Sequence, residues 1–546
     1  MRAALEASKE VDVAVLSKVH PIRSHSRAAQ GGIAAVIDNW ARKVGDSLES
    51  HIFDTVKGSD YLGDQDAIQI LCNEAPQDIT TLDEMGALFS RTEEGWIAQR
   101  DFGGHNYPRT CYAADKTGQI LLQTLYEQML KNYVKVYSEW YVVSLITLNK
   151  VCLGLVAYDM SRGEFEIFRA KAVIFATGGY GKAFKITSNA YTNTGDGLAL
   201  AYRAGVPLQD MEFVQFHPTG LFKHGILITE GARGEGGYLL NKNGERFMEK
   251  YAPSKMELAS RDVVSRAVRT EIDEGRGIDG GVYLDLRHLG RKKIMSRLSQ
   301  IHDIALRFAG TDCVEKPILI QPIAHYSMGG IPTDVNGSVP DISGLFAAGE
   351  CACVSVHGAN RLGGNSMLET IVFGRRAGIS AARYVKKASL GPVSVNALDA
   401  VRQEIAQILE NNGKEKIVDI RSDLQSIMTE KCGIFRDKKG LTDALHQIHA
   451  LKERINDISI TDKGMIFNTE LIGVLELRNM LDFSEVIVAG ALAREESRGA
   501  HFRCDFPQRD DDKWLMHTLA YPGESGCVLK YKPVTITRYE PEKRVY

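Results

Sequence analysis

A histidine in a short polar stretch that ends in two glycines is the first group along the chain whose setting suggests chemistry. His25 lies in residues 23–32 (RSHSRAAQGG), after a hydrophobic run at 11–16 that predicts a strand. Glycines that follow a strand let the backbone come close to a flat or phosphorylated ligand. Taken alone, His25 is typical of a surface or hydrogen-bonded histidine, so its role depends on the stretches that accompany it.

Three later stretches carry groups that suit a nucleotide. Residues 170–176 predict a strand that runs into Thr177-Gly178-Gly179, and Asp196 stands where a helix begins, whose free N–H groups suit a pyrophosphate. Glu350 follows a buried-type strand at 344–348, and a carboxylate at that end of a strand suits a ribose hydroxyl. Each signal is weak alone, because ordinary turns and helix caps use the same residues.

Length and composition limit the function classes. A chain of 546 residues predicts roughly three or four domains. The hydrophobic share of 44% and charged share of 25% are typical of a soluble globular protein, and a net charge of −3 favours neither nucleic acid nor an anionic membrane. No apolar run approaches the roughly 20 residues of a membrane helix, so any membrane anchor is expected on other subunits.

The cysteines predict no metal site. Nine are scattered along the chain, and the closest pair, Cys351 and Cys353, has the spacing Cys-x-Cys. No set has the spacing of an iron–sulfur or zinc site, so we expect reduced, mostly structural thiols.

Periodicity predicts the elements that position these groups. Residues 1–8 and 116–131 predict helices, whereas 134–148 and 151–159 predict strands. Residues 396–495 have apolar positions at helical spacing and predict a helical bundle. Asn365 and Ser366 are predicted to cap a further helix that runs to about residue 382.

Taken together, the motifs resemble one known family, the flavoprotein subunits of succinate dehydrogenase and fumarate reductase. The motifs that carry the resemblance lie, in order, at 23–32, 176–179, 217–220, 229–237, 260–264, 325–330 and 358–366. Their joint occurrence across the chain outweighs the ordinary interpretation of each, in which arginine–glutamate pairs are surface salt bridges and a histidine before proline is structural.

The resemblance implies an α/β fold with a two-dinucleotide-fold FAD-binding domain, an inserted α+β substrate-capping domain and a helical C-terminal domain. The expected bounds are 1–211 with 324–388 for the FAD-binding domain, 212–323 for the capping domain, 396–495 for the helical bundle and 496–546 for a C-terminal tail.

The resemblance also implies FAD, joined covalently through its 8α-methyl group to His25. The other cofactor residues that it implies are Ser17, Lys18, Ser24, Gln30, Gly31, Gly32, Thr177, Gly178, Asp196, Glu350, Asn365 and Ser366. The positive end of the helix that begins at Asn365 would face the flavin and stabilise its reduced, charged form.

Succinate and fumarate are dicarboxylates, and arginine suits them because its planar fork pairs with a carboxylate and keeps its charge. The resemblance implies a hydride passing between the substrate and flavin N5, with Arg261 moving the proton and Glu230 and Arg233 relaying it. It assigns the two carboxylates to His217, Thr229, His325 and Arg361.

The expected partners are an iron–sulfur subunit, which would carry electrons singly, and one or more membrane anchor subunits. Nucleic acid is not expected. The chain would then lie peripherally on a membrane through its partners, at the cytoplasmic face. The direction of the reaction and the identity of the quinone stay open.

Two departures from the family pattern leave alternatives open. The first predicted helix lacks the preceding strand and Gly-x-Gly-x-x-Gly turn, so either the start codon is misassigned or FAD binding is weakened. Residues 103–109 also differ from common family versions. The alternatives are an L-aspartate oxidase-like enzyme, whose flavin is not covalent and which lacks a histidine at position 25, and a flavin-free structural or assembly protein.

Overall fold

The computed structural model describes residues 1–394, 396–524 and 526–545; Ser525 and Tyr546 of the expected tail lie outside the described residues. The first region is mixed α/β. Its elements are α1 (Arg2–Ala7), β1 (Ala14–Ser17), β2 (Ile33–Ala34), α2 (Asp38–Val44), α3 (Leu48–Gly58), α4 (Gln65–Glu84), β3 (Gln99–Arg100), β4 (Thr110–Cys111), α5 (Thr117–Lys131), β5 (Lys135–Ser138), β6 (Trp140–Leu148), β7 (Val151–Asp159), β8 (Glu164–Arg169), β9 (Val173–Phe175), α6 (Asp196–Arg203) and β10 (Leu208–Gln209).

Parallel pairing joins sequence-distant strands in this region. Strand β1 pairs in parallel with β5, and β6, β7 and β8 form an antiparallel sheet. The predicted strand 134–148 is therefore two strands, because Glu139 takes a left-handed φ of 66° and turns the chain from one sheet into the other.

The middle of the chain forms a separate four-stranded antiparallel sheet in the order β11-β14-β13-β12, with its own buried apolar core. Its elements are β11 (Val214–Leu221), α7 (Gly231–Gly234), β12 (Tyr238–Leu240), α8 (Met248–Tyr251), α9 (Arg261–Asp273), β13 (Val282–Asp285), α10 (Gly290–Arg297), α11 (Ser299–Ala309) and β14 (Ile318–Ser327).

The chain then returns to the first region and ends in helices and a hairpin. The elements are β15 (Ile331–Pro332), β16 (Leu345–Ala347), β17 (Ala352–Cys353), α12 (Asn365–Lys387), α13 (Asn396–Glu410), α14 (Ile417–Lys431), α15 (Lys438–Arg454), α16 (Thr469–Ala493), α17 (Asp511–Trp514), β18 (Met516–Gly523) and β19 (Gly526–Pro533). Strand β16 pairs in parallel with β9, and β18 pairs with β10.

Helix α16 is the centre of the helical region. Asn468 caps it by accepting a hydrogen bond from the Leu471 N–H at 2.8 Å, and most of its apolar residues are buried. A helix that is apolar on all sides must be surrounded, and α14 and α15 pack against it. None of the helices in the described ranges is long and apolar enough to cross a membrane.

Helix α1 packs closely on α12, and two glycines of α12 lie at the contact. A Cβ on Gly378 would collide with the carbonyl oxygen of Ala3, whereas a Cβ on Gly374 would lie 3.4 Å from the Cβ of Arg2, an ordinary contact. The close contact between the two backbones therefore requires the absence of a side chain at Gly378 but not at Gly374.

This geometry predicts opposite effects of the same substitution on the two glycines. We expect Gly378→Ala to lower the free energy of unfolding by about 1–3 kcal/mol, as overpacking of a core does. Gly374→Ala should leave it unchanged or raise it by up to about 1 kcal/mol, because alanine favours a helix interior. Denaturant unfolding of both variants checks this; equal effects would contradict the packing.

Candidate active site

His25 begins a short 3₁₀ turn (His25–Ala28) directly after Ser24, beyond the end of β1. Its Nδ1 accepts a hydrogen bond from the Ala190 N–H at 3.2 Å, and its Nε2 makes no hydrogen bond within the described part of the chain. Burial, together with the nearby charge of Lys182, lowers the pKa of His25 to about 4. The imidazole is therefore neutral at pH 7, with one nitrogen held and the other available.

We use the word cradle for five residues with predicted cofactor roles, which are Gln30, Gly31, Gly32, Thr177 and Gly178. Gly32 and Gly178 take left-handed φ values of 140° and 74°, and a Cβ on Gly31 would lie 2.6 Å from the Phe102 ring. Buried Gln30 presents an Oε1 that has no hydrogen-bond partner in the described ranges, and Thr177 is exposed where β9 has just ended. The missing side chains at Gly31 and Gly32 let Phe102, Thr110 and Cys111 pack closely against the backbone, and the unused acceptor of Gln30 suits a ligand with a polar edge.

Lys18, which follows Ser17 at the end of β1, is bonded to protein groups. Its Nζ donates to Asp196 Oδ2 at 2.7 Å and to Glu476 Oε1 at 2.8 Å. Burial alone would lower the pKa of Lys18, but the two carboxylates outweigh it and raise that pKa. Asp196 also accepts from the Asn479 amide at 2.9 Å. Lys18 and Asp196 together therefore hold the first region against α16.

Glu350 lies just after β16, where its Oε1 accepts from the Ser327 N–H at 3.0 Å. Burial raises the pKa of this carboxyl to about 7. A side chain on Gly179 would collide with the Glu350 carboxylate, so the turn after β9 and the residue after β16 lie against each other.

The predicted capping role of Asn365 and Ser366 is wrong. Gly364, with a φ of 82°, is the N-cap of α12 and makes the turn without a side-chain bond. The Asn365 side chain instead donates to Thr55 Oγ1 at 3.0 Å and bonds His51 Nε2 at 3.1 Å, which ties α12 to α3. Ser366 is partly exposed on the first turn of α12, and the Gly364 carbonyl at that end of the helix accepts from the Ala34 N–H at 3.2 Å, two residues after Gly32.

The predicted catalytic and carboxylate-binding residues come from different elements and form one cluster. Buried Arg261 begins α9 and donates through Nε to Glu230 Oε2 at 2.8 Å. The other Glu230 oxygen accepts from the Gly103 N–H at 2.8 Å and lies 3.6 Å from Arg233 Nη2. We define the cationic cluster by its members, which are Gln215, His217, Glu230, Arg233, Arg261, His325 and Arg361.

Two histidines form one wall of the cationic cluster. The ring centroids of His217, on β11, and His325, on β14, are 4.9 Å apart. His217 Nδ1 accepts from the Thr219 N–H at 3.2 Å, so its proton is on Nε2. Burial, and then the charge of Arg261, holds the pKa of both histidines well below the ordinary value. Both rings are neutral hydrogen-bonding groups at pH 7.

Arg361 is buried and has no carboxylate partner among the described residues. Its Nη2 donates to Gln215 Oε1 at 3.1 Å, its Cζ lies 4.4 Å over the Tyr326 ring, and its Nε has no partner in the described part of the chain. Burial and the charge of Arg261 lower the pKa of Arg361 to about 9, so it stays charged at pH 7. Thr229 is also buried, and its Oγ1 accepts from the Gly231 N–H at 3.2 Å.

The cationic cluster has a net charge that suits a small dianion. Burial would raise the pKa of Glu230, but Arg261 and Arg233 outweigh it and hold that pKa below the ordinary value. With neutral histidines, three guanidiniums and one carboxylate leave two positive charges. Such a cluster can bind two carboxylates and place Arg261 against the carbon chain between them.

The structure also shows site residues that the sequence reasoning missed. Gln215 joins Arg261 and Arg361, and strand alternation from His217 could have found it, because residues two apart share a face. The unexplained stretch at 103–109 supplies Gly103, where a Cβ would collide with the Glu230 carboxylate. Ser188, which bonds His325 Nδ1 at 2.7 Å, carried no sequence signal.

Comparison with known proteins identifies the family. Residues 1–367 match the family described as FAD binding domain, and residues 421–546 match that described as fumarate reductase flavoprotein C-term. The chain is 47% identical to the succinate dehydrogenase flavoprotein subunit of Rickettsia bellii, an alignment that covers 100% of this chain and 96% of the relative. It is 46% identical to the fumarate reductase flavoprotein subunit of Mycobacterium tuberculosis, covering 100% and 97%.

A solved structure of E. coli quinol fumarate reductase matches with a TM-score of 0.95 and 41% identity, over 100% of this chain and 96% of that one. These findings confirm the resemblance and the expected order of an FAD-binding domain followed by a helical C-terminal domain. The chain belongs to the family of flavoprotein subunits of succinate dehydrogenase and fumarate reductase, which are oxidoreductases.

Proposed function

We propose that this chain interconverts succinate and fumarate as the catalytic subunit of a quinone-linked complex. The observation that supports this most is the cationic cluster, in which Arg261 and Arg361 meet at the oxygen of Gln215, at 3.0 and 3.1 Å. The neutral histidines beside them suit the remaining carboxylate oxygens. A histidine at position 25 argues against an L-aspartate oxidase-like enzyme.

FAD, when bound, supplies the group that accepts or gives a hydride. The residues of the cradle fit it, and we propose that His25 holds it covalently through the unbonded Nε2. The proposed contacts are Ser17, Lys18, Ser24, Gln30, Gly31, Gly32, Thr177, Gly178, Asp196, Glu350, Asn365 and Ser366. Lys18 and Asp196 already bond each other, so they would act together as one side of the site.

The protein groups would divide the work on the substrate. Arg361 and His325 would hold one carboxylate, and His217 with Thr229 the other. Arg261 would give a proton to the substrate in fumarate reduction and take one in succinate oxidation. Glu230, bonded to Arg261 at 2.8 Å and near Arg233, would pass that proton onward and spare Arg261 a long-lived neutral state.

Partner subunits complete the proposal. The chain has no cysteine set for an iron–sulfur cluster, so electrons leaving the flavin singly need a separate iron–sulfur subunit. Membrane anchor subunits would attach the complex to the cytoplasmic face of a membrane. The match to a quinol fumarate reductase supports both partners.

Replacing His25 tests the flavin attachment. We expect His25→Ser to leave only removable flavin, with succinate oxidation lost more than fumarate reduction. The measurement is flavin fluorescence of the chain on a denaturing gel. His20→Ser is the matched control. The His20 Nε2 already bonds the Tyr126 hydroxyl at 3.2 Å, so His20 is not expected to bind the flavin. A loaded wild-type chain without fluorescence would exclude covalent attachment.

Replacing Arg261 tests the proton transfer. Arg261→Gln keeps the size but loses the charge and the transferable proton, so turnover should fall by about 10²–10⁴-fold or more in both directions. Flavin content should change much less. Affinity for malonate, a short dicarboxylate, should fall by less than turnover does, because the cationic cluster keeps one net positive charge together with His217, His325 and Arg361. Arg269→Gln is the control on the same helix, because its ion pair with Asp273 is exposed. Near-normal turnover of Arg261→Gln would remove this residue from the mechanism.

Purification from native membranes tests the partners. Quinone-linked activity should follow a complex that contains iron–sulfur and anchor subunits, and should disappear when they are stripped away. Activity with a soluble dye should stay with the flavin-loaded chain, since it needs only the cationic cluster and flavin. Quinone-linked activity in the lone chain would contradict the proposal.

A further inference from the structure

Gln215 lies between the two arginines on which the proposed function depends. It is fully buried on β11, and its Oε1 accepts from Arg261 Nη1 at 3.0 Å and from Arg361 Nη2 at 3.1 Å. We propose that Gln215 is a positioning and charge-setting residue, whose neutral amide fixes both guanidiniums in register and leaves their charges to a dicarboxylate. This inference rests on the proposed function and adds what determines the charge of its substrate.

The surroundings allow only one orientation of the Gln215 amide. Its Nε2 donates to Asn360 Oδ1 at 2.9 Å and to the Arg361 carbonyl at 2.8 Å. Turning the amide over would place an NH₂ against two guanidiniums and an oxygen against two acceptors. The oxygen is therefore held toward the arginines by four bonds, and Asn360 is itself fixed through Gly58 at 3.0 Å.

The strand makes this position suitable for joining the arginines. Gln215 and His217 point to the same side of β11, and the pairing of β11 with β14 shifts register after Gln215. Arg261 arrives from α9, which is bonded to the same strand through Ser265 Oγ and the Phe216 carbonyl at 2.8 Å. Gln215 thus sets the distance between Arg261, which lies on α9, and Arg361, which lies on the loop before α12.

The neutrality of Gln215 matters because buried arginines usually have a carboxylate partner. Glu230 already bonds Arg261, whereas Arg361 has no carboxylate partner in the described part of the chain. A glutamate at 215 would turn one oxygen toward Asn360 Oδ1 and the Arg361 carbonyl, but its other oxygen would face both guanidiniums, which favour the ionised carboxylate. It would thus complete the second pair and lower the net charge of the cationic cluster from two to one. The cluster would then attract a dianion less strongly. The affinity for a monoanion would fall by a smaller factor than the affinity for a dianion.

The test uses flavin-loaded protein and two ligands of equal size, malonate and its monoamide malonamate, which carries one charge less. We expect Gln215→Glu to weaken malonate binding by about 30-fold or more, since it costs a buried charge interaction. The affinity for malonamate should fall by about fivefold, because a monoanion loses about half of the attraction that a dianion loses. The ratio of the two dissociation constants is the measured quantity.

Gln215→Met is the matched variant, because it keeps the volume and the charge but removes the shared acceptor. It should weaken the binding of both ligands by the same factor of about three- to tenfold, because hydrogen bonds are lost. The ratio of the two dissociation constants should stay unchanged. If Gln215→Glu does not retain flavin, this uniform weakening by itself supports the positioning role.

Two results would overturn the inference: an unchanged ratio in Gln215→Glu, or wild-type affinity for both ligands in Gln215→Met. A wild-type protein that retains flavin but binds no malonate would instead contradict the proposed function. The two failures are therefore distinguishable in one set of titrations.

Discussion

The excess positive charge in the cationic cluster is the constraint on which the rest of the site depends. Charged groups lose hydration when they are buried, and among the members of the cationic cluster one carboxylate, Glu230, faces three guanidiniums. Arg361 Nε and Arg233 Nη2 have no hydrogen-bond partners in the described ranges, although Arg233 Nη2 lies 3.6 Å from a Glu230 oxygen. Their donors and charges are held in place before a ligand arrives, which is the preorganisation that electrostatic catalysis requires.

Holding such a cluster together requires elements from two structural units. The inserted sheet supplies Arg261 through α9 and both histidines through β11 and β14, whereas Arg361 comes from the loop before α12. Strand β14 continues from the inserted sheet to the residues that contact Glu350. Strand β14 therefore joins the cationic cluster to Glu350, which we propose contacts the flavin.

The sequence supports the prediction of the family, the fold class and the type of each charged group, because those follow from local motifs in a fixed order. The sequence could not show that the Asn365 side chain bonds Thr55. Gly364, in the left-handed region, is the N-cap of α12, so Asn365 is not needed as a cap and its side chain bonds α3 instead. Glu139 interrupts a run of strand-forming residues for a similar reason. Its backbone takes a left-handed φ, which the hydrophobic pattern of the sequence does not indicate. Gln215 was missed because its importance arises from two arginines that are 46 and 146 residues away in the chain.

The C-terminal hairpin has a consequence for how the chain is made. Strand β10 finds its partner in β18, some 300 residues later, and Lys18 meets Glu476 of α16. On the ribosome, the first region therefore emerges long before the segments that complete it. Until then Lys18 has only its partners Thr194 and Asp196, and β10 lacks its pairing with β18. The native contacts of β10 and Lys18 are consequently completed late in synthesis, and removing β18 or α16 would disturb the half of the chain that is synthesised first.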